Sequence, residues 1–146
     1  MGGGDHPSPM HVQQDPPKPP VAMVFWIIWF AILNGLLMTQ FLAGGGIPKG
    51  SDEGSPSVLF PVLAGGLALA ALAVRYVLIP QIKLVPQKLT AMVAGLALSE
   101  AIGMIGMFVV GKEFPATQQL FFVVAIGCIV SFAPVYAKPR EENGRF

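Results

Sequence analysis

The sequence predicts an all-α membrane protein with four transmembrane helices in an antiparallel bundle. Hydrophobic residues make up 53% of the 146 residues and charged residues 12%, about half the charged share of a soluble domain. The apolar residues fall into four blocks, 21–43, 57–79, 89–111 and 117–136. Each block has about the 20 residues that a membrane-spanning helix requires. The segments between the blocks are short, and this favours antiparallel neighbours.

The two ends of the chain have a different composition from this four-helix region, which we assign to residues 21–137. Residues 1–20 contain six prolines and three consecutive glycines. Such a segment cannot bury enough apolar surface to fold alone, so we predict a disordered Pro/Gly-rich tail. Residues 138–146 are predicted to form a short polar tail. The first apolar block is too long for a signal-peptide core and is interpreted as a retained membrane anchor.

Catalytic and metal-binding patterns are not found in the sequence. His6 and His11 lie in the Pro-rich tail, where nothing preorganises a metal site. The single cysteine, Cys128, excludes an intrachain disulfide, and its apolar surroundings favour a packing role. With no nucleophile–base pair and no phosphate-binding loop, we predict neither an enzyme nor a cofactor. The net charge of +1 gives no reason to expect a nucleic-acid partner.

The first block has aromatic residues at its beginning and a polar residue near its middle. The aromatic residues are Phe25, Trp26, Trp29 and Phe30. Tryptophan at the start of a span is typical of an anchor at the membrane–water interface. Asn34 lies about half-way along the block. It could hydrogen-bond to another helix, including Glu100 if the two meet at the same depth, or to a neighbouring backbone carbonyl.

The second and third blocks are predicted to form a tight antiparallel hairpin. Residues 80–88 between them are few, basic and contain two prolines. Pro61 lies near the start of the second block, where proline is tolerated. Arg75 lies in its last turns, from which its long side chain can reach the headgroups, and Tyr76 fits the same interface.

The distribution of basic residues predicts the orientation. With four spans, the two tails and residues 80–88 lie on one side of the membrane. Seven of the nine Lys and Arg residues belong to that side, and only Lys49 and Lys112 to the other. The positive-inside rule therefore places both termini in the cytoplasm. We expect the protein to lie in the cytoplasmic (inner) membrane, although the rule itself sets only the orientation.

Glu100 is the single charged residue of the third block and lies almost at its middle. A carboxylate at that depth is costly, so it is expected to be protonated, paired or directed to a polar cavity. Desolvation favours the neutral acid, which can release its proton when a cation or water approaches. Three roles remain open: a carrier of protons or cations, a structural residue that joins helices, and a contact to a ligand or lipid.

Small residues form a stripe next to Glu100 on the same helix. Gly95, Ser99, Gly103 and Gly106 recur at intervals of three and four residues, which places them on one helical face. This small-xxx-small pattern allows close approach of two helices in lipid. We therefore predict a helix-packing role for these four residues, with Glu100 beside the contact.

The segment 97–106, ALSEAIGMIG, resembles the ion-carrying helix of the rotor c subunit of F-type and related ATP synthases. The matching residues are Ala97, Leu98, Glu100, Ala101, Gly103 and Gly106. Lys88, Leu89 and Thr90 resemble the start of that helix, and the short polar loop before them, with Pro86 and Gln87, resembles the family's loop. The resemblance covers residues 75–111. It implies that Glu100 is the carboxylate that binds a proton or a sodium ion.

The chain departs from the c subunit in three respects. The second block has only Gly65 and Gly66 in place of a glycine repeat, and Ile105 replaces the usual tyrosine. Two further spans flank the hairpin. We therefore interpret the chain as a four-helix protein containing a c-subunit-like hairpin, in the lipid bilayer as a homo-oligomer or within a membrane complex. Its predicted function is proton or cation translocation; the alternative is a non-catalytic accessory or assembly subunit in which Glu100 joins helices.

Overall fold

The structure, a computed structural model, describes residues 20–135. The predicted disordered tails, with His6 and His11, lie outside the described residues, apart from Pro20. Within them, every regular element is helical. The helices are α1 (Val21–Leu42), α2 (Leu59–Gln81), α3 (Val85–Glu113) and α4 (Pro115–Ser131). By length and composition the first three are able to cross a membrane, and α4 is a shorter apolar helix.

Side-chain hydrogen bonds fix the relative directions of the helices. The Asp52 carboxylate, between α1 and α2, accepts a 2.6 Å hydrogen bond from the Thr117 hydroxyl at the start of α4. At the opposite end, Arg75 Nε donates to the Ser131 carbonyl at 2.6 Å. The α1–α2 loop and the α3–α4 junction therefore share one end of the molecule. The last turns of α2 and the end of α4 share the other.

The first helix is oriented by one of its tryptophans. Trp29 Nε1 donates to the Ile129 carbonyl in the last turns of α4 at 2.8 Å. Its ring lies edge-on to Trp26, with 5.6 Å between the ring centroids. Since Trp29 lies in the first half of α1, the beginning of α1 is beside the end of α4.

The third and fourth helices form the centre of the fold. They have the most extensive contact of any pair, and α1 and α2 each pack on both of them. More of α3 is buried than of α1 or α2. The fully buried side chains at this centre include Met92, Leu96, Ile102, Phe121 and Ile129. Glu100 therefore lies on the helix that contacts each of the other three.

The turn between α2 and α3 is shorter than the predicted loop of residues 80–88, since only residues 82–84 lie outside helices. Pro86 lies in the first turn of α3, where its missing N–H would have had no helical partner. Pro80 lies within α2, shortly after a wider π-helical turn, Val74–Leu78. A local π adjustment is one way in which an apolar helix accommodates a proline.

The fourth helix differs from the predicted block 117–136. It begins with Pro115, which suits a first helical position. It ends at Ser131, because Pro134 disfavours helical geometry at the residue before it. Tyr136 lies outside the described residues. Seventeen residues give a helix of about 25 Å, somewhat shorter than the ~30 Å hydrocarbon core.

Candidate functional site

Glu100 lies close to the midpoint of α3, at the border between the packed and the exposed faces of the helix. Its side chain is half-buried. Leu96 and Gly103, on neighbouring turns toward the core, are buried. Ala97 and Met104, on the adjoining outer positions, are exposed. The carboxyl group is therefore accessible from the outer surface of the bundle at mid-helix.

The Glu100 carboxyl makes no hydrogen bond or ion pair with any of residues 20–135. Asn34, the polar residue predicted either to meet it or to bond locally, donates from Nδ2 to the Phe30 carbonyl of its own helix at 2.8 Å. Of the two arrangements predicted for Asn34, the structure therefore shows the hydrogen bond within its own helix. Glu100 is a carboxyl without a partner on the other described helices.

The small-residue stripe begins with Gly95 and Ser99, both buried. Ser99 Oγ donates to the Gly95 carbonyl at 2.8 Å, within its own helix, which is a common way for serine to be satisfied in a helix interior. A Cβ atom at Gly95 would overlap the Phe132 ring. Phe132 directly follows the end of α4. Because Gly95 has no side chain, the Phe132 ring can pack directly against α3.

The stripe continues with Gly103 and Gly106, which face two other helices. A Cβ atom at Gly103 would lie 2.7 Å from a methyl group of Leu36 in α1. At Gly106 it would lie 2.8 Å from the Cβ of Phe121 in α4. The stripe therefore carries close contacts of α3 with α1 and α4. Because this chain's own side chains fill it, the stripe is not a free surface for a second copy.

The helix widens at Gly106, six residues beyond Glu100. Residues Gly106–Val110 form a π-helical turn, the second within residues 20–135. Such turns occur frequently at functional sites. This turn begins at Gly106, the glycine in contact with Phe121. The close approach of α4 to α3 therefore occurs at the irregular turn.

Asp52 is a structural residue that composition did not identify, since residues 44–56 were predicted only as a loop. Its carboxylate accepts hydrogen bonds from the Thr117 hydroxyl and from the N–H groups of Thr117 and Ala116. These donors, the hydroxyl first, hold the pKa of Asp52 below its ordinary value of 3.8, against a smaller effect of desolvation. The only signal in the sequence was an Asp in the loop and a helix start at Pro115, 63 residues later.

A metal site is not formed by the described part of the chain. Residues 20–135 contain no group of three or more His, Cys, Asp or Glu side chains close enough to hold an ion. Cys128 is buried among apolar residues. Glu100 is therefore not part of such a group among the described residues.

Comparison of the chain with known protein families, with characterised proteins and with solved structures found no match. The resemblance to a rotor c subunit thus depends on the residues of segment 75–111 alone. The structure adds that α2 and α3 are neighbours that pack together and are joined by a three-residue turn, 82–84.

Proposed function

We propose that this chain is an integral membrane protein in which Glu100 takes part in proton or cation translocation. The observation that supports this most is the position of its carboxyl group: mid-helix, half-buried, without a partner among residues 20–135. A structural acid inside an apolar bundle is expected to hydrogen-bond to a neighbouring helix. A carrier carboxyl needs instead to be reached from outside its own bundle.

The surroundings of Glu100 favour a proton over a sodium ion within one chain. A hard cation is held by several oxygen ligands. The nearest side-chain oxygen along α3 belongs to Ser99, and its hydroxyl is donated to the Gly95 carbonyl. Asn34 is bonded within its own helix. A sodium site would therefore need backbone carbonyls, water or oxygen atoms of another subunit to complete it, whereas protonation needs only the carboxyl itself.

The proposed topology has four spans in the cytoplasmic (inner) membrane, with both termini in the cytoplasm. The three long apolar helices are compatible with an integral membrane protein. The fourth crossing requires α4 to span with a locally thinned bilayer or with help from the residues that follow it. Lys83 and Lys88, near the α2–α3 turn, support the cytoplasmic assignment of that end.

An oligomer would use α1 and α2 rather than the glycine stripe of α3. Both outer helices present large exposed apolar side chains, among them Ile27, Phe30, Val62 and Leu69. A second copy or another subunit placed there would also approach the outer side of α3 near Ala97 and Met104. This arrangement supports the alternative function, an accessory subunit in which Glu100 hydrogen-bonds to a partner protein.

Labelling with dicyclohexylcarbodiimide tests the proposal, because the reagent attacks protonated carboxyl groups in apolar surroundings. We expect one modification in the purified full-length protein, retained in Glu113→Gln and absent in Glu100→Gln. Glu113 is the matched control, since it is an exposed carboxyl at the end of the same helix. The labelling rate should fall as pH rises. A Glu100 that stays unmodified at every pH would overturn the carrier assignment.

Reconstituted vesicles distinguish the proton from sodium. With a membrane potential imposed by potassium and valinomycin, wild type should acidify or alkalinise a vesicle containing a pH dye, and Glu100→Gln should not. Added sodium should leave the flux and the labelling unchanged if protons are carried, and should suppress labelling if sodium binds. The accessory role would instead be supported by three results together. The protein is not labelled, it carries no flux, and it co-purifies with a membrane partner that is lost in Glu100→Gln.

A further inference from the structure

A second polar feature lies at the end of the molecule where the α1–α2 loop meets the α3–α4 junction. It is a cavity of about 220 Å³, open at one side. Its lining includes Lys49, Lys112, Gln118 and Gly45, with Ile47 and Pro115 as apolar wall. The cavity far exceeds the ~10–15 Å³ that one water molecule needs, and it is separate from Glu100.

The two lysines of this cavity come from distant parts of the sequence. Lys49 belongs to the α1–α2 loop and Lys112 to the end of α3. The glycine loop turns over the Lys112 side chain: Gly45 has a φ of +78°, and a Cβ atom there would lie 3.7 Å from Lys112 Nζ. Neither lysine forms an ion pair with any of residues 20–135. Two like charges around one cavity repel each other unless an anion lies between them.

A buried amide adds a neutral donor. Gln118 is 2% exposed, lines the cavity, and its side chain has no hydrogen bond to residues 20–135. Its amide atoms are not among the fully enclosed side-chain atoms that lack a partner, so they reach the open space of the cavity. The N–H groups of Ala116 and Thr117 are already taken by Asp52. An anion would therefore be held by the lysine ammonium groups and this amide rather than by the helix terminus.

We infer that the cavity binds a phosphate-bearing anion. Lysine ammonium groups are point charges that suit phosphate oxygens, and the cavity holds a phosphate group with several waters. It lies at the level where apolar helices end, which is the depth of lipid headgroups. The phosphate belongs either to an anionic lipid or to a free phosphate compound, and the two sources share this chemistry.

Binding measurements on the full-length protein test the inference and separate the sources. One arm counts phosphatidylglycerol and phosphatidylcholine molecules retained in native mass spectra. The other titrates inorganic phosphate into the detergent-solubilised protein by calorimetry. The test variant is Lys49→Gln/Lys112→Gln, since both side chains are exposed and their loss leaves the core intact. The control is Lys83→Gln/Lys88→Gln, which removes the same charge at the opposite end.

We expect the test variant to raise the Kd by about five-fold for each lysine, roughly 25-fold together, while the control binds like wild type. Retention of phosphatidylglycerol without phosphate binding identifies a lipid headgroup, and binding of phosphate identifies a soluble anion. The inference is overturned if wild type binds neither probe above phosphatidylcholine. It is equally overturned if the control variant loses as much affinity as the test variant. Neither result depends on whether Glu100 carries an ion.

Discussion

Asp52 and Thr117 join the two connections at one end of the molecule although 65 residues separate them. The Thr117 hydroxyl donates to Asp52 Oδ2 at 2.6 Å, and the Thr117 N–H donates to the same oxygen at 3.2 Å. The residue before the start of α4, Phe114, has no side-chain capping group. Asp52 thus supplies from another loop the carboxylate that usually comes from the N-cap residue itself. Its negative charge also suits the positive end of the helix dipole.

Acid should weaken this link. Because folding lowers the pKa of Asp52, its contribution to stability is complete above the carboxyl's ordinary pKa and is lost as pH falls through the lower folded value. In thermal unfolding between pH 7 and pH 2, wild type should lose more stability than Asp52→Asn. Asp52→Asn should also be the less stable protein at pH 7.

The control for the acid experiment is the neighbouring Glu53→Gln. Glu53 is exposed, so its replacement should leave the acid dependence of Tm as in wild type. An Asp52→Asn protein with the wild-type acid dependence would show that the carboxylate has no such role.

Replacement of glycine by alanine should raise the free energy of unfolding in α2 and lower it in α3. At Gly106 a methyl group would meet the Phe121 Cβ and, at 3.4 Å, the Gln118 carbonyl oxygen. Neither can move without shifting α4, so Gly106→Ala should cost about 1–3 kcal/mol of unfolding free energy. Gly66 has nothing within 4 Å, and Gly66→Ala should gain up to about 1 kcal/mol through helix propensity. Gly103→Ala should lie between them, because Leu36 meets it with a flexible methyl.

Reversible unfolding in mixed micelles, followed by circular dichroism, measures these three differences. Gly66→Ala should be the most stable of the three variants, Gly103→Ala intermediate and Gly106→Ala the least stable. A Gly106→Ala protein as stable as wild type would mean that α4 moves away from α3 without cost.

The helical architecture could be predicted from the sequence because four apolar blocks of membrane length leave few other folds. The exact ends of the helices were harder to predict from the sequence. Pro80 and Pro86 suggested a loop, yet both are within helices, one after a π turn and one in a first helical turn. Proline is ambiguous at a helix end, since it is disfavoured in the interior but suited to the first turn.

The candidate site was only partly accessible to sequence reasoning. Glu100 is found by charge alone, because it is the one acid in an apolar block. Its lack of a partner is a property of three-dimensional packing. The local hydrogen bond of Asn34 to Phe30 was one of the two arrangements that the sequence allowed. Lys49 and Lys112 line one cavity because of how the α1–α2 loop folds, and no spacing rule connects residues that far apart.

Removing the Glu100 carboxyl should not weaken the isolated protein. Since Glu100 has no hydrogen bond to residues 20–135, Glu100→Gln and Glu100→Leu should unfold within about 0.5 kcal/mol of wild type or at higher free energy. A residue that joined helices inside the chain would cost about 0.6–2 kcal/mol on replacement by leucine. The same unfolding assay in mixed micelles measures the difference. A clear loss in the leucine variant alone would favour the structural role.

Arg75 should hold the end of α4. Its Nε donates at 2.6 Å to the Ser131 carbonyl, one of the last carbonyls of the helix, which lack partners within it. A hydrogen bond from a charged donor contributes about 1.5–3 kcal/mol, so Arg75→Gln should lower stability by up to that amount. Hydrogen exchange should speed up in residues 127–132 and stay unchanged near Thr117. The exposed Lys83→Gln is the control, and equal exchange in both variants would contradict the assignment.

The two ends of the bundle should be labelled from opposite sides of the membrane. Glu53 and Lys83 are exposed and lie at the two ends defined by the Asp52–Thr117 and Arg75–Ser131 hydrogen bonds. In a Cys128→Ser background, Glu53→Cys should react with a membrane-impermeant maleimide on intact cells, since the orientation that we propose has Lys83 inside. Lys83→Cys should react only after permeabilisation. Labelling of both positions on intact cells would contradict a topology in which α2 crosses the bilayer, and the reverse pattern would invert the orientation.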